Sequence, residues 1–322
     1  MLPPKHELTI CFAHVAYQMR ARFEARTTGI GCFEVRATEE LRQRIGEADV
    51  LCASMMWRNE LLEAARRLRF IQSISAGVDQ YDRAKLAAAG VRLASAAGVN
   101  ARAVAEHAMA LILALARRLP EARDNQGRRV WRGMLSDLTQ REDELGGKTL
   151  LIVGLGRIGG RLAELAKAFD MRVIGIRRDP ASGTGVADEV HRLSALPELL
   201  PRADYVALTC PLTPETERLI NAEALRRMKP AVVLINVARG RCVDEPALIE
   251  ALQSGRIAGA GIDTTVEEPL APASPLWAIP NVLLTPHTAG ETRRYEDNVI
   301  DLLLENLDRL WRGQTQLRNQ VL

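Results

Sequence analysis

The sequence predicts an α/β fold of two domains, each built on a parallel sheet, with a cleft between them. Three observations predict it. Short apolar runs of strand length alternate with amphipathic runs of helical spacing, the pattern of parallel strands joined by helices. A glycine turn, Gly154-x-Gly156-x-x-Gly159, stands near the middle of the chain, so that strand–helix units precede and follow it. The length, 322 residues, suits one or two domains with a sizeable core.

In chain order, residues 8–13 read as a first strand, 39–45 as a helix and 50–53 as a second strand. Residues 70–73 form a third strand, running into Ile74-Ser-Ala-Gly-Val-Asp79, and 91–94 a short fourth. Residues 101–119 predict a long helix, with Val104, Ala108, Leu111, Leu115 and Leu119 on one face and Pro120 as its stop. The polar, arginine-rich stretch 123–144 reads as an irregular surface excursion or interface arm with Trp131 as its one large apolar residue. Then comes Thr149-Leu-Leu-Ile-Val-Gly-Leu-Gly-Arg-Ile-Gly159: a buried strand, a glycine turn and a helix over 161–169, closed into a βαβ unit by a strand at 172–176. In this context the first glycine permits the tight turn, the second lets a pyrophosphate approach the backbone and the third lets helix pack on strand. The helix N-terminus offers N–H groups and partial positive charge to phosphates. The competing reading is a glycine turn that only packs helix on strand. Residues 205–208, 232–235, 259–262 and 282–284 read as further strands and 293–311 as a last helix, carrying Val299, Leu302, Leu303, Leu307 and Leu310.

Composition narrows the function classes. A net charge of +3 with both signs mixed argues against nucleic-acid or membrane-surface partners. Five cysteines show no metal-type pairing and fit buried thiols of a reducing compartment, so no metal site is expected and a cytoplasmic location is. The longest apolar run is too short to span a bilayer.

Three polar residues follow strands at the end where open α/β sheets bind ligands. His287, in Asn281-Val-Leu-Leu-Thr-Pro-His-Thr-Ala-Gly290, is of the residue type best suited to give and take a proton; a structural histidine is the alternative. His107, inside the long helix beside Glu106, reads as a packing or capping group. Arg239 follows Leu234-Ile-Asn-Val-Ala238 and could fork onto a carboxylate, or be one more surface arginine. Asp263 ends a strand, and Glu267-Glu268-Pro269 follows; a carboxylate beside His287 would favour its protonated, acid form, whereas an acidic pair before proline also suits a solvated loop. Together, an arginine, a glutamate and a histidine beyond a nucleotide-binding sheet suit hydride transfer to a carbonyl, which needs a proton donor at oxygen and a cation for a neighbouring carboxylate.

From residue 70 onwards the chain resembles the D-isomer-specific 2-hydroxyacid dehydrogenase family. The matching stretches are Ser75-Ala-Gly-Val-Asp79, Asn100 with Val104-Ala-Glu-His107, Gly147 to Gly159, Pro211-Leu-Thr-Pro-Glu-Thr216, Leu234 to Gly240, Gly261-Ile-Asp263 with Glu268-Pro269, Pro275-Leu-Trp277 and Asn281 to Gly290. The resemblance implies two Rossmann-like domains: a substrate domain of residues 1–100 plus 291–322, and a dinucleotide domain of 101–290. It implies a catalytic set of Arg239, Glu268 and His287. Cofactor contacts would come from Gly154, Gly156, Arg157, Ile158, Gly159, Arg177, Arg178, Cys210, Pro211, Thr216, Val237, Ala238, Asp263 and His287. Ser75, Ala76, Gly77 and Val78 would hold the substrate carboxylate with Arg239, and Met55 would lie in the substrate loop. The 101–119 helix would help form a homodimer.

Glu268, where formate dehydrogenases of the family carry glutamine, argues against formate, and the chain ends too soon after the last helix for the regulatory domain of many phosphoglycerate dehydrogenases. Met55, Met56 and Trp57 suggest an apolar lid over a small side chain. NAD-dependent members usually end the second strand of the dinucleotide domain in aspartate; here Ile176 is followed by Arg177-Arg178, which favours NADP(H), while NAD(H) stays possible if Asp179 reaches the ribose. The expected activity is reduction of a small 2-keto acid of the glyoxylate or hydroxypyruvate type. A phosphite dehydrogenase and a nucleotide-sensing protein like the C-terminal-binding-protein corepressors are the alternatives.

Overall fold

The apolar runs marked as strands, apart from the half-buried run 282–284, are buried almost end to end in the computed structural model, which describes residues 2–322. In chain order the strands are β1 (Thr9–Ala13), β2 (Gly31–Val35), β3 (Val50–Ala53), β4 (Phe70–Ser73), β5 (Arg92–Ala94), β6 (Thr149–Val153), β7 (Arg172–Ile176), β8 (Glu189–His191), β9 (Tyr205–Leu208), β10 (Val233–Asn236), β11 (Gly259–Ile262) and β12 (Val282–Leu284). They form a five-stranded sheet of order β2-β1-β3-β4-β5 and a seven-stranded sheet of order β12-β11-β10-β9-β6-β7-β8. Every pairing within them is parallel.

Contacts divide the chain into two units, Met1–Asn100 with Thr292–Leu322, and Ala101–Glu291. In each, both faces of the sheet are covered, which is why the strands read as continuous apolar runs rather than alternating ones. Along β9 the side chains still alternate: Val206 and Leu208 join one core cluster, Tyr205 and Ala207 the other. The second unit packs the Ala101–Ala116 helix, through Ala105, Ala108 and Ile112, on the same side as Ile152, Ala207 and Ile235. In the first unit the Tyr295–Trp311 helix lays Val299, Ile300, Leu303 and Leu307 against Phe12, Phe23 and Phe70.

Several elements depart from the sequence reading. β2 and β8 go unseen because they are edge strands, half polar and short. The long helix ends at Ala116, not at residue 119, and Pro120 opens a second helix, Leu119–Arg128, instead of only stopping the first. Proline lacks an N–H, and the first turn of a helix does not need one. This second helix takes in residues 123–128, the start of the stretch read as irregular. The helix after the glycine turn starts at Arg157, earlier than the 161 expected, because Gly156 is its N-cap.

β8 is held by charge at the sheet edge. The Glu189 carboxylate accepts from Arg172, Arg202 and, at 2.9 Å, from His191 Nε2. Hydrogen bonds from Arg202 and then His191 hold its pKa down at about 2 against burial. A carboxyl group whose folded pKa is depressed stabilises the fold above its unfolded pKa and loses that effect as pH falls toward the folded value. Glu189→Gln is therefore expected to lower the melting temperature at pH 7, and the gap to wild type should close between about pH 4.5 and about 2. Parallel melting curves across that window, with a constant gap, would show that the carboxylate is not responsible.

Candidate functional site

The nucleotide end of the second unit is shaped by backbone. Gly154 follows β6 with φ +108°, a region closed to most side chains. A Cβ there would meet the Cys210 nitrogen at 2.6 Å, and one on Gly159 would overlap the Gly154 carbonyl. Thr209 Oγ1 donates to that carbonyl at 2.8 Å, pinning the turn to the end of β9. The Gly154 and Leu155 N–H groups donate to the Ile176 carbonyl at 2.9 and 2.7 Å, which ties the turn to the end of β7. Glycine at 154 and 159 thus lets the turn pack closely on the end of β9 and on the Arg157–Ala168 helix.

Two cavities flank it. One, of about 490 Å³, is lined by Gly154, Arg177, Arg178, Cys210, Pro211 and Thr216, so six of the residues expected at the cofactor converge there. Gly156 and Arg157 line its neighbour, which Arg177 also borders. Gly159 lies buried, packing helix on turn, and Val237 and Ala238 lie buried past the end of β10. Contact with Cys242, and then burial, push the Cys210 thiol up, so it stays neutral. Asp179, the possible ribose ligand, is turned into its own loop: its carboxylate accepts from Ala181 N at 3.1 Å and Ser182 Oγ at 2.8 Å.

The catalytic candidates lie beyond β10, β11 and β12. Glu268 Oε1 accepts from the Thr265 N–H at 3.1 Å, and its Oε2 lies 2.7 Å from His287 Nδ1. With Nδ1 spent on the carboxylate, Nε2 is the ring nitrogen left to exchange a proton with a ligand. His287 itself sits at φ +55°. Asp263 supports that uncommon conformation. Its Oδ1 accepts from Thr285 Oγ1 at 2.6 Å and Thr288 N at 3.0 Å, and its Oδ2 from Ala289 N at 3.1 Å. All three donors lie on the turn that carries His287. At 2% exposure Asp263 is a buried anchor, whichever further contact it makes to a bound ligand.

Sequence reasoning undervalued His107. Its Nε2 is 2.9 Å from Thr285 Oγ1 and 3.6 Å from Asp263 Oδ1. The Thr285 hydroxyl proton already goes to Asp263, so His107 is the donor to Thr285. The available signal was a histidine on a face of the helix with Val104, Ala108 and Leu111 as neighbours.

Arg239 stands one residue past a turn braced by Asn236. Asn236 Oδ1 accepts from Ala238 N at 3.1 Å, and its Nδ2 donates to the Arg239 carbonyl at 3.1 Å. The guanidinium is exposed and donates to the Ala238 carbonyl at 2.7 Å. Gly240 packs directly on the Thr265 carbonyl, where any Cβ would overlap it. The Arg239 strand end and the Glu268 loop are therefore adjacent.

In the first unit, the lid expectation is corrected. Met55 is exposed, but Met56 and Trp57 are buried in the core. Trp57 stacks on Tyr81 at 5.9 Å and donates from Nε1 to Asn59, so the turn after β3 sends only Met55 outward. The turn after β4 is fixed by Ser75, whose hydroxyl lies 2.7 Å from Ser54 Oγ. Its next three N–H groups, on Ala76, Gly77 and Val78, donate to no protein acceptor among the described residues.

Comparison with known proteins identifies the family and the fold. The family model described as "D-isomer specific 2-hydroxyacid dehydrogenase, NAD binding domain" matches residues 109–289. A glyoxylate reductase of Korarchaeum cryptofilum is 36% identical over 258 residues, 79% of this chain and 76% of that protein. Among solved structures, the TT0316 protein from Thermus thermophilus superposes with a TM-score of 0.83 at 35% identity, over 98% of this chain and 100% of that one. An acyclic imino acid reductase in complex with NADPH and D-Arg superposes with a TM-score of 0.81 at 26% identity, over 98% of this chain and 100% of that one. Two parallel α/β sheets accord with these likenesses: the chain belongs to the D-isomer-specific 2-hydroxyacid dehydrogenase family.

Proposed function

We propose that this chain is an NADP(H)-preferring reductase of small 2-keto acids, of the glyoxylate or hydroxypyruvate type. The observation that carries the reading is the 2.7 Å contact of Glu268 Oε2 with His287 Nδ1, which leaves Nε2 to act as the acid. The nicotinamide cofactor, when bound, supplies the hydride. His287 gives the carbonyl oxygen its proton, and Glu268 stabilises the imidazolium from which that proton leaves. Arg239 holds the substrate carboxylate and polarises the carbonyl. The N–H groups of Ala76 to Val78, which donate to no acceptor among the described residues, are further donors available to a carboxylate. In the reverse direction His287 accepts the hydroxyl proton.

Arginines at the end of β7 support NADP(H), since Gly154 of the glycine turn lines the same cavity. The similar imino acid reductase binds NADPH. A homodimer is proposed through the segment after the Leu119–Arg128 helix, where Val130, Trp131, Met134 and Leu138 are all exposed on one polar arm. The five free cysteines suit a reducing, cytoplasmic compartment.

The test is steady-state turnover with NADPH or NADH against glyoxylate, hydroxypyruvate and, in the oxidative direction, phosphite. NADPH with one of the keto acids should give the highest kcat/KM. Phosphite oxidation without keto-acid reduction, or nucleotide binding without any turnover, would reject the reading.

Arg239→Lys keeps the charge and loses the planar fork. It is expected to raise KM for the keto acid and lower kcat together, because the group acts in both the bound and the transition state. Unchanged constants would move the carboxylate clamp elsewhere.

A further inference from the structure

β7 and β8 run parallel, with Ile176 in register with His191. The Arg177 N–H donates to the His191 carbonyl at 3.0 Å. Arg177 and Arg192 are therefore the next two positions out, on adjoining strand ends about 4.8 Å apart in the sheet direction. Arg177, Arg178 and Arg192 border one cavity, and Ser194 borders it too. Arg177 is steadied by donating to the Gly183 carbonyl at 3.1 Å. The Arg178 and Arg192 guanidinium groups make no hydrogen bond or ion pair among the described residues. The two nearby carboxylates are occupied locally, Asp179 by its loop and Glu215 by Thr213 Oγ1 at 2.7 Å. Three cations from two strand ends thus border one cavity whose acids face their own turns.

We propose that Arg192, at the end of β8, is a specificity-determining residue that completes a clamp on the cofactor's 2′-phosphate with Arg177 and Arg178. The inference rests on the NADP(H) reading and adds to it a residue from a different strand. A phosphate monoester has three terminal oxygens and close to two charges near neutrality, more than one guanidinium fork satisfies. A group reaching in from β8 would meet oxygens that the β7 arginines leave open. Arg192 would discriminate the phosphate from a hydroxyl and contribute nothing to the adenine, pyrophosphate or nicotinamide.

The test is calorimetric binding of NADPH, NADH, 2′,5′-ADP and 5′-ADP to wild type, Arg192→Gln and Arg192→Lys, without keto acid. Arg192→Gln should weaken NADPH and 2′,5′-ADP by about tenfold or more, the worth of one charge-assisted hydrogen bond. NADH and 5′-ADP should bind as to wild type, which also shows that the variant is folded, and Arg192→Lys should fall between. A wild type that prefers NADPH, with Arg192→Gln unchanged in it, overturns the role of Arg192 and leaves the cofactor reading standing. Equal weakening of all four ligands also overturns it, because the residue would then support the pocket rather than read the phosphate. A wild type that binds NADH as well as NADPH removes the cofactor reading itself, and the clamp with it.

Discussion

Replacing His287 with alanine is expected to lower kcat by roughly 10²–10⁴-fold, the usual worth of a positioned acid–base group. The reason is geometric. Pro286 and Asp263 hold the histidine in a left-handed conformation, and Glu268 occupies Nδ1, so proton transfer depends on Nε2 of one ring. No neighbouring group replaces it: His107, the other histidine of this region, is committed to Thr285. Cofactor affinity should hardly change, since the proposed function assigns nucleotide binding chiefly to the glycine turn. Glu268→Gln should cost less, because an amide oxygen can still accept from Nδ1 while the charge that favours the imidazolium is lost. Pre-steady-state hydride transfer separates these effects from product release. A His287→Ala enzyme with near-normal turnover would remove the residue from the mechanism.

The cofactor preference should reverse in Arg177→Asp. Charge-assisted hydrogen bonds are worth roughly 1.5–3 kcal/mol each, so one lost contact to the 2′-phosphate means a factor of about 10 to 150. The new carboxylate would also repel the phosphate and could accept from the ribose hydroxyl of NADH. In this structure the Asp179 oxygens accept from the Ser182 hydroxyl and the Ala181 N–H. Hydrogen bonds from the Ser182 hydroxyl and the Ala181 N–H hold its carboxyl below the usual range, with the nearby Arg177 and Arg192 cations adding to the effect. Wild type should favour NADPH in kcat/KM by at least tenfold, and Arg177→Asp should favour NADH. Steady-state kinetics with each cofactor checks both. A wild type that favours NADH, with Arg177→Asp near neutral, would show that both arginines face solvent.

By itself the sequence determined the fold class, the strands of both sheets except β2 and β8, and the residue types of the candidate site. These are local signals. A strand covered on both faces must be apolar along its length, as Leu150 to Val153 and Tyr205 to Leu208 are. A turn that approaches a phosphate must lack side chains, as at Gly154 and Gly156. A histidine, a glutamate and an arginine after strands are legible for the same reason: strand ends can be read without knowing how the strands are ordered.

The tertiary structure alone decided which groups meet. That Asp263 anchors the His287 turn through Thr285, 22 residues away, depends on β11 and β12 lying side by side. That His107 joins them, 178 residues from Thr285, depends on a helix packed on that sheet. Nothing in the local sequence marks Met56 and Trp57 as core and Met55 as exposed, since all three are apolar and only the path of the turn separates them. β8 was too short and polar to be read as a strand, so the position of Arg192 beside Arg177 could not be inferred either. Hydrophobic periodicity reports which face of an element is buried. It carries no information on which strands become neighbours, and the contacts of this site are made between neighbours.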